Sequence, residues 1–525
     1  YGPTHEGKKV PFERRLACHS DAGATPVNAS IIGSLAICTT NFNDGRLAAG
    51  VSRQISHDFA DMLLTGVQRD LTATYGKWTR RYLWDRNYSE TRKPEVPSAI
   101  IETLAHQNFA DMRRALDPNF RFTLARSLYK TILRYVNGNH SLACVVQPLP
   151  VSNFRIVRTA DNQLQLSWLP VTDRLEPSAV PTTYNIYIAE GKNGFDNGRS
   201  VSSTSFTFTP KPNVVYQFRV TAVNRGGESF PSTTLAACVS AQAGARDVLV
   251  VDGFTRLAGP AVVDDGTRQG FDLDADMGVS LGINAGFVGR QIDFDRTRVG
   301  SEGPGALGYC EDEFAGKFFM GKQQNESVCH VADIALSGAY NVVSSSVEAV
   351  ENGFVKLENY RVVDIMFGLQ KDDGYSLVRY KTFSALLRKA LESYVRGNGR
   401  VFVSGAYVAS DMQLDAERSF MSNLFKVGFG GQNTNTATNL VNGLGISFDI
   451  IRRPNDRHYA AQSVDVVSPL APAFCAMRYA DGTDAAVAYD GIDHKAFVMG
   501  FPVECINNVR SRQQVMKAVM TFLAK

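Results

Sequence analysis

Apolar residues recur in different rhythms along this 525-residue chain, and each rhythm predicts a different kind of layer. In the first stretch, short apolar runs alternate with helical stripes. Residues 16–19 read as the end of a strand and residues 30–40 as a second strand. A helix is expected to open near Asp44, a suitable N-cap, with Leu47, Val51, Ile55, Phe59, Leu63 and Val67 as its buried stripe. Residues 98–101 form another short apolar strand. Asp117-Pro118 predicts a helix start, a cap followed by Pro in the first turn. That helix presents Leu124, Leu128, Ile132 and Tyr135 on one face and ends near Asn137-Gly138. Strands alternating with helices predict an α/β layer with a partly parallel sheet.

The rhythm then shortens to two. It appears in residues 164–168 (LQLSW), 184–188 (YNIYI) and 216–223 (YQFRVTAV), among frequent Pro, Ser and Thr. Short alternating strands at this spacing predict a β-sandwich. A Trp in the second strand, Tyr216 ahead of Phe218-Arg219-Val220, and the turn Asn224-Arg225-Gly226-Gly227-Glu228-Ser229 make this segment resemble a fibronectin type III domain. The resemblance implies that Trp168 lies in the core and that the Tyr216 hydroxyl bonds to backbone at a corner.

Beyond it, strands are expected at 247–251, 362–367, 401–403 and 497–499. Helices are expected at 380–395, stopped by Gly397-Asn398-Gly399, and at 513–523. This order predicts a doubly wound sheet. The expected architecture is therefore multidomain: an α/β region over 1–144, a sandwich over 147–242 and a second α/β region over 245–525.

Composition limits the function classes. Hydrophobic residues make up 44% and charged residues 20%, as in soluble globular proteins. A net charge of +3 predicts neither a nucleic-acid-binding tail nor an acidic one. No apolar run is long enough to span a membrane. The first residue is Tyr and no signal peptide is visible, so the chain reads as a processed product or an excised piece. The eight Cys, at 18, 38, 144, 238, 310, 329, 475 and 505, include no CxxC pair. Cys310–Cys329 and Cys475–Cys505 are candidate disulfides, with buried free thiols the equal alternative.

The most informative polar residues are His19 and Glu102, each following a short apolar stretch that would deliver it at a strand end. An imidazole and a carboxylate suit a hydrolytic zinc site, one as ligand and the other as base. The segments Cys18-His19-Ser20-Asp21-Ala22-Gly23, Pro97-Ser98-Ala99-Ile100-Ile101-Glu102, His106-Gln107-Asn108-Phe109-Ala110-Asp111 and Asp117-Pro118-Asn119-Phe120-Arg121-Phe122 carry a resemblance. Residues 1–143 resemble the C-terminal half of the zinc-dependent N-acetylmuramoyl-L-alanine amidase family. The likeness is closest to a secreted Bacteroidetes subgroup, labelled xanthan lyase-like, in which a fibronectin module follows the amidase.

The resemblance implies cleavage of the bond between the lactyl group of N-acetylmuramic acid and L-alanine in peptidoglycan. His19 would be a zinc ligand and Glu102 the catalytic carboxylate. It also implies secretion to the periplasm or cell surface. The family holds zinc with two His and one Glu, and the Gly-His-Gly turn and helical Glu that supply the others are not found here. His5 and Glu6 do not match their context. The remaining Zn2+ ligands are expected upstream of Tyr1, and the chain alone is expected to be inactive. Asp21 stands where many relatives carry Asn, as a partner of His19 or a turn residue. Glu90, after Ser89, would line the substrate groove or belong to a surface element. His106 and Asn108 would contact the peptide or cap the local structure.

The third segment is similar to the class I glutamine amidotransferase-like fold. Residues 399–407 fall at that fold's nucleophile turn, but no Cys is present there. Ser404 has no Gly-x-Ser-x-Gly frame, and His494 and Glu504 complete no triad, so a noncatalytic role is expected. Asp372-Asp373-Gly374 and the run Asp272, Asp274, Asp276 lack the calcium-loop frame and read as solvated loops. Two rivals to the amidase stand: a secreted noncatalytic carbohydrate-binding or scaffolding protein on a degenerate amidase fold, and a polysaccharide lyase, which rests on the label alone. Peptidoglycan or another cell-surface polysaccharide is the expected partner.

Overall fold

The computed structural model describes all residues except 1–3, 6, 7, 10–12, 24–29, 266–268, 287, 291–293, 295–302, 305 and 308. Glu6 lies outside the described residues. His5 belongs to a two-residue ladder, Thr4–His5 against Lys8–Lys9.

The first region is a four-stranded sheet with two long helices on one face. Its strands are β1 (Arg15–Asp21), β2 (Ser34–Cys38), β3 (Arg80–Asp85) and β4 (Ser98–Ala105), in the order β1-β4-β2-β3. β1 runs parallel to β4 and β2 to β3, while β2 and β4 are antiparallel. Between the strands lie α1 (Gln54–Tyr75) and the short α2 (Ser89–Arg92). After β4 come α3 (Phe109–Ala115) and α4 (Pro118–Asn139). Phe59, Leu63, Leu64, Val67 and Leu71 of α1 are buried against Ala36, Ala99 and Ile101. Each such side chain contributes roughly 1.5–3 kcal/mol.

Two expectations about helix starts divide here. α4 opens as expected, with the Asp117 carboxylate accepting the Asn119 N–H and Pro118 in the first turn. α1 does not begin at Asp44. Asn43, Asp44 and Gly45 all have positive φ, a left-handed turn that no α-helix can incorporate. The helix starts ten residues later, after Arg53, whose buried guanidinium donates to the carbonyls of Arg46, Thr91 and Arg92 and ties the turn down. Val51, expected in the stripe, is 46% exposed.

The second region is a β-sandwich. Its strands are β5 (Ser152–Arg158), β6 (Leu164–Leu169), β7 (Thr183–Glu190), β8 (Arg199–Val201), β9 (Ser205–Phe208), β10 (Tyr216–Asn224) and β11 (Leu235–Ala237). Trp168 is buried against Tyr184, and the Tyr216 hydroxyl accepts the Lys211 N–H.

The third region is built on five parallel strands: β12 (Arg246–Asp252), β13 (Tyr340–Ser346), β14 (Val362–Met366), β15 (Arg400–Ser404) and β16 (Lys495–Met499). They lie side by side as β13-β12-β14-β15-β16. Helices α5 (Ser327–Ala335) and α8 (Val509–Ala524) cover one face; α6 (Val347–Glu351) and α7 (Ala385–Arg396) cover the other. Antiparallel strands Asp484–Asp490, Phe474–Tyr479, Leu440–Gly443 and Ile446–Asp449 extend the β16 edge. α7 starts at Ala385 rather than at 380, because the extended Ser384 caps the Leu387 N–H. At its end the left-handed residue is Asn398, not Gly397.

The regions are joined by more than linkers. β5 pairs with β13 at Arg155 and Ser345, so strands β9, β6 and β5 continue the third region's sheet into twelve strands. Cys238 and Val342 exchange backbone hydrogen bonds, and the Ser344 hydroxyl bridges to Ala236. α4 ties the first region to both others. Arg126 pairs with Asp173 at 2.8 Å and Arg134 with Glu176, while the Asn119 amide donates to the Leu257 carbonyl and the Tyr380 hydroxyl.

Candidate functional site

His19 and Glu102 are register partners on the parallel strands β1 and β4. They sit inside these strands rather than at their ends. Two residues before each, Ala17 and Ile100 pack with Leu35, Ile37 and Trp84 on the sheet face away from α1 and α4. Strand alternation puts His19 and Glu102 on that same face. The imidazole Nδ1 is 3.8 Å from Glu102 Oε1, and Nε2 is 3.2 Å from Glu90 Oε1. The His19 side chain is 41% exposed and Glu102 only 14%. Burial pushes the Glu102 carboxyl above the ordinary range, with the nearby His19 pulling the other way, and its buried Oε2 has no hydrogen-bond partner.

The other expected residues separate. Glu90, on α2, reaches the His19 ring and so belongs to the site. Asp21 does not touch His19: it pairs with Arg81 Nη1 at 2.7 Å and accepts its neighbour's N–H from Ala22, acting as a turn anchor. The His106 ring meets the Ser20 hydroxyl at 3.1 Å, and its backbone N–H reaches the Asp21 carbonyl. Asn108 is the cap of α3. Its side chain accepts the Asp111 N–H at the start of α3 and donates to the Ser30 carbonyl. Sequence reading missed Arg81 and the aromatic pair Tyr82 and Trp84, stacked at 5.8 Å with rings 11° apart. The signal was present, an i, i+2 aromatic pair in a strand-like run, but β3 was not anticipated.

Imidazole and carboxylate are the donor types zinc uses. Here, however, the two carboxylates approach different nitrogens of one ring, so they do not face a common point with it. Among the described residues no three His, Cys, Asp or Glu side chains converge to hold a metal. The described residues do not fit a complete zinc site.

In the third region, Ser404 is fully buried at the end of β15, with no partner for its hydroxyl. His494 and Glu504 do not meet. His494 Nε2 donates to the Leu424 carbonyl at 2.7 Å, with Asp493 beside Nδ1. Glu504 instead belongs to a sealed chain: Asp364 to His330 Nδ1 at 2.7 Å, His330 Nε2 to Glu504 at 3.2 Å, and Glu504 to the Tyr459 hydroxyl at 2.5 Å. Burial alone would strip the proton from His330; Asp364 and Glu504 reverse this and hold it well above the ordinary imidazole range.

Asp272 and Asp373 cap turns, and Asp276 is paired with Arg256 and Lys371, so neither acidic stretch is arranged around a cation. All eight cysteines are free thiols, so neither candidate disulfide is formed. Among the described residues no helix is long and apolar enough to cross a membrane.

Comparison with known proteins identifies one part of the chain. Residues 149–237 match the fibronectin type III domain family. The twitchin kinase region from C. elegans is 24% identical over 18% of this chain and 17% of its own length, with a TM-score of 0.16. A human FNIII domain is 23% identical over 19% of this chain and 87% of its own, with a TM-score of 0.18. The FN5 domain of Drosophila Lar is 20% identical over 18% of this chain and 96% of its own, with a TM-score of 0.14. No curated protein sequence matches the chain. The chain is thus a multidomain protein of mixed helices and sheets that contains a fibronectin type III sandwich.

Proposed function

We propose that the first region carries part of an amide-hydrolysing site, of the type that cuts the N-acetylmuramoyl-L-alanine bond of peptidoglycan. The supporting observation is the register pair His19 and Glu102 on one open sheet face, with Glu102 Oε2 desolvated and unpartnered. A carboxylate raised by burial is a better proton acceptor than one in water. Glu102 takes a proton from an attacking water and returns it to the leaving amine, with the His19 ring 3.8 Å from one of its oxygens. Zinc, as the amidase family uses it, needs donors besides these residues. Secretion and a cell-wall partner belong to the same proposal.

The test is release of stem peptide from purified peptidoglycan, with bound zinc measured in parallel. The 525-residue chain is compared with one extended ahead of Tyr1. The expected outcome is activity and zinc in the extended chain alone, with activity abolished by Glu102→Gln. Stoichiometric zinc in the 525-residue chain, no release by the extended one, or release indifferent to Glu102→Gln would each reject the proposal.

One observation favours a noncatalytic, carbohydrate-binding reading. Tyr82, 62% exposed, stacks on Trp84 on the edge strand β3. Trp84 is half-buried against Leu35, Ile37 and Ile100 and backs the exposed Tyr82 ring, which offers a flat apolar face to a sugar ring. On that reading, sedimentation with insoluble peptidoglycan drops on Tyr82→Ala and is unchanged by Glu102→Gln.

A further inference from the structure

The strand β3 and the turn after it carry side chains that the His19–Glu102 pair does not use. β3 is bonded to β2 and forms one edge of the first region's sheet. Tyr82, Trp84 and, just past the strand, Arg86 follow the strand period of two and stack on one another. The Tyr82 and Trp84 rings lie 5.8 Å apart, and the Arg86 guanidinium lies 5.4 Å over the indole. Tyr82 precedes Trp84 along the strand and Arg86 follows it, so they approach the indole from opposite sides. Trp84 also fixes the face of the sheet, because it packs with Ile37 and Ile100 on the side that carries Glu102. Register fixes the height. Leu35 of β2 opposes Glu102 on one side. On its other side, between the pairs Ser34–Arg80 and Ala36–Leu83, it meets the level of Tyr82. Tyr82 and Glu102 therefore stand level, two strand spacings or about 10 Å apart.

Charge decides what this ladder can hold. The carboxylates around it are taken: Asp21 pairs with Arg81 at 2.7 Å, Asp61 pairs with Arg80, and Asp85 accepts the Thr40 N–H and hydroxyl. Arg86 and Arg92 are left over, with no carboxylate among the described residues within ion-pair distance of either. Arg92, on α2, lies 5.9 Å from the Phe42 ring and donates to the carbonyl and side chain of Asn87, the residue after Arg86. Arg86 is exposed, and the indole beneath it orients the plane of its fork, which suits two-point contact with a carboxylate. The strand rise puts Arg86 about 13 Å beyond Tyr82, too far for one sugar ring to reach both. The matching ligand is a polymer, with one unit on the Tyr82 ring and a carboxylate further along on Arg86. Single-stranded nucleic acid also joins negative charge to flat rings, but it stacks successive bases on successive exposed rings. Here the second ring, Trp84, is covered by Tyr82 and Arg86.

We infer that β3 and the turn after it bind an acidic polysaccharide, with one sugar face on Tyr82 and the carboxylate of a nearby unit on Arg86, supported by Arg92. This extends the carbohydrate-binding reading of Tyr82, on which it rests, by the charge of the sugar.

Three probes test it. Polygalacturonate carries sugar and charge, its fully methyl-esterified form keeps the sugar and loses the charge, and poly-L-glutamate keeps the charge and loses the sugar. Binding to the full chain is measured by calorimetry. Polygalacturonate is expected to bind about tenfold more tightly than either of the others. Arg86→Gln combined with Arg92→Gln should lower polygalacturonate to the level of its ester and leave the ester unchanged. Tyr82→Ala should weaken both polysaccharides and leave poly-L-glutamate unchanged. Circular dichroism and the unfolding midpoint check that the variants fold, and the comparison of probes on the wild-type chain does not depend on them. Equal affinity for polygalacturonate and its ester, both weakened by Tyr82→Ala, would overturn the acidic ligand and leave the Tyr82 platform standing. Polygalacturonate binding that Tyr82→Ala does not change would overturn both. Poly-L-glutamate or an oligothymidylate bound as tightly as polygalacturonate, or no saturable polygalacturonate binding at all, would also overturn the acidic polysaccharide.

Discussion

The molecule contains the same small constellation twice, an imidazole between two carboxylates, in opposite surroundings. In the first region His19 lies between Glu90 and Glu102, with 41% of its side chain exposed. In the third, His330 lies between Asp364 and Glu504 with none exposed. The first can meet a substrate, and water screens its charges, so its pairs add little stability. The second can meet nothing. Its charges are fixed inside the fold, where removing one partner strands the others. The same groups thus stand open to solvent in one place and hold the fold together in the other, and burial separates the two.

The largest expected effect tests the sealed side of this contrast. His330→Ala leaves Asp364 and Glu504 buried without their cation and should cost about 3–5 kcal/mol in urea unfolding. His330 is raised in the folded state, so its contribution is complete at low pH, below the unfolded imidazole value, and fades as pH climbs through the folded value. A loss under about 1 kcal/mol would place this network with the exposed one.

A buried carboxyl without an imidazole should show the same pH sign in a lower window, because its folded value is raised as well. Asp465 accepts the Ala409 and Ser410 N–H groups at 2.7 and 2.8 Å, yet burial pushes its carboxyl up to about 6. An unfolded Asp titrates near 3.9, so the folded state keeps a proton the unfolded state has lost. Stability from this group is full below about pH 4, falls towards pH 6 and is then flat. Asp465→Asn should therefore gain about 2 kcal/mol on the wild type between pH 4 and pH 7.5. Parallel unfolding curves at both pH values check it, and a difference that does not change with pH refutes it.

At the open site, effects on stability should be small. Glu102→Gln removes a desolvated, half-unpartnered carboxylate and should change stability by less than about 1 kcal/mol, and upwards more readily than downwards. Glu90→Gln weakens two partly exposed pairs, to His19 and to Arg15, with an expected loss of about 0.5 kcal/mol or less that disappears in high salt. Thermal unfolding at two salt concentrations measures both. A loss of several kcal/mol from either variant would mean that the open constellation is a structural element too.

How much of this was legible in the sequence differs by element. The α4 start was, because Asp117 and Pro118 act within one turn. The sandwich was, because its alternation and its Trp and Tyr positions are local signals, and the fibronectin type III match covers the same stretch. The α1 start was not, because three successive left-handed residues overrode a reasonable cap. Of the site, His19 and Glu102 were legible as a pair, and Glu90 as a neighbour. Asp21 as a turn residue and Asn108 as a cap were legible among their alternatives, but their partners Arg81 and Asp111 were not, since these come from a strand and a helix start that local pattern did not weigh. Glu504 was noticed, but with His494 as companion; its true companion, His330, lies 174 residues away in sequence.

What the sequence determined by itself is whatever depends on neighbours within a few residues: helix caps, strand alternation, the sandwich and the identity of the chemical groups. The tertiary structure alone decided register and burial. Register brought His19 beside Glu102 and carried the sandwich's sheet into that of the third region. Burial left one imidazole open to water and sealed the other. Both depend on contacts between distant segments, whose energies come from removing surface from water, and no local pattern records which surfaces meet.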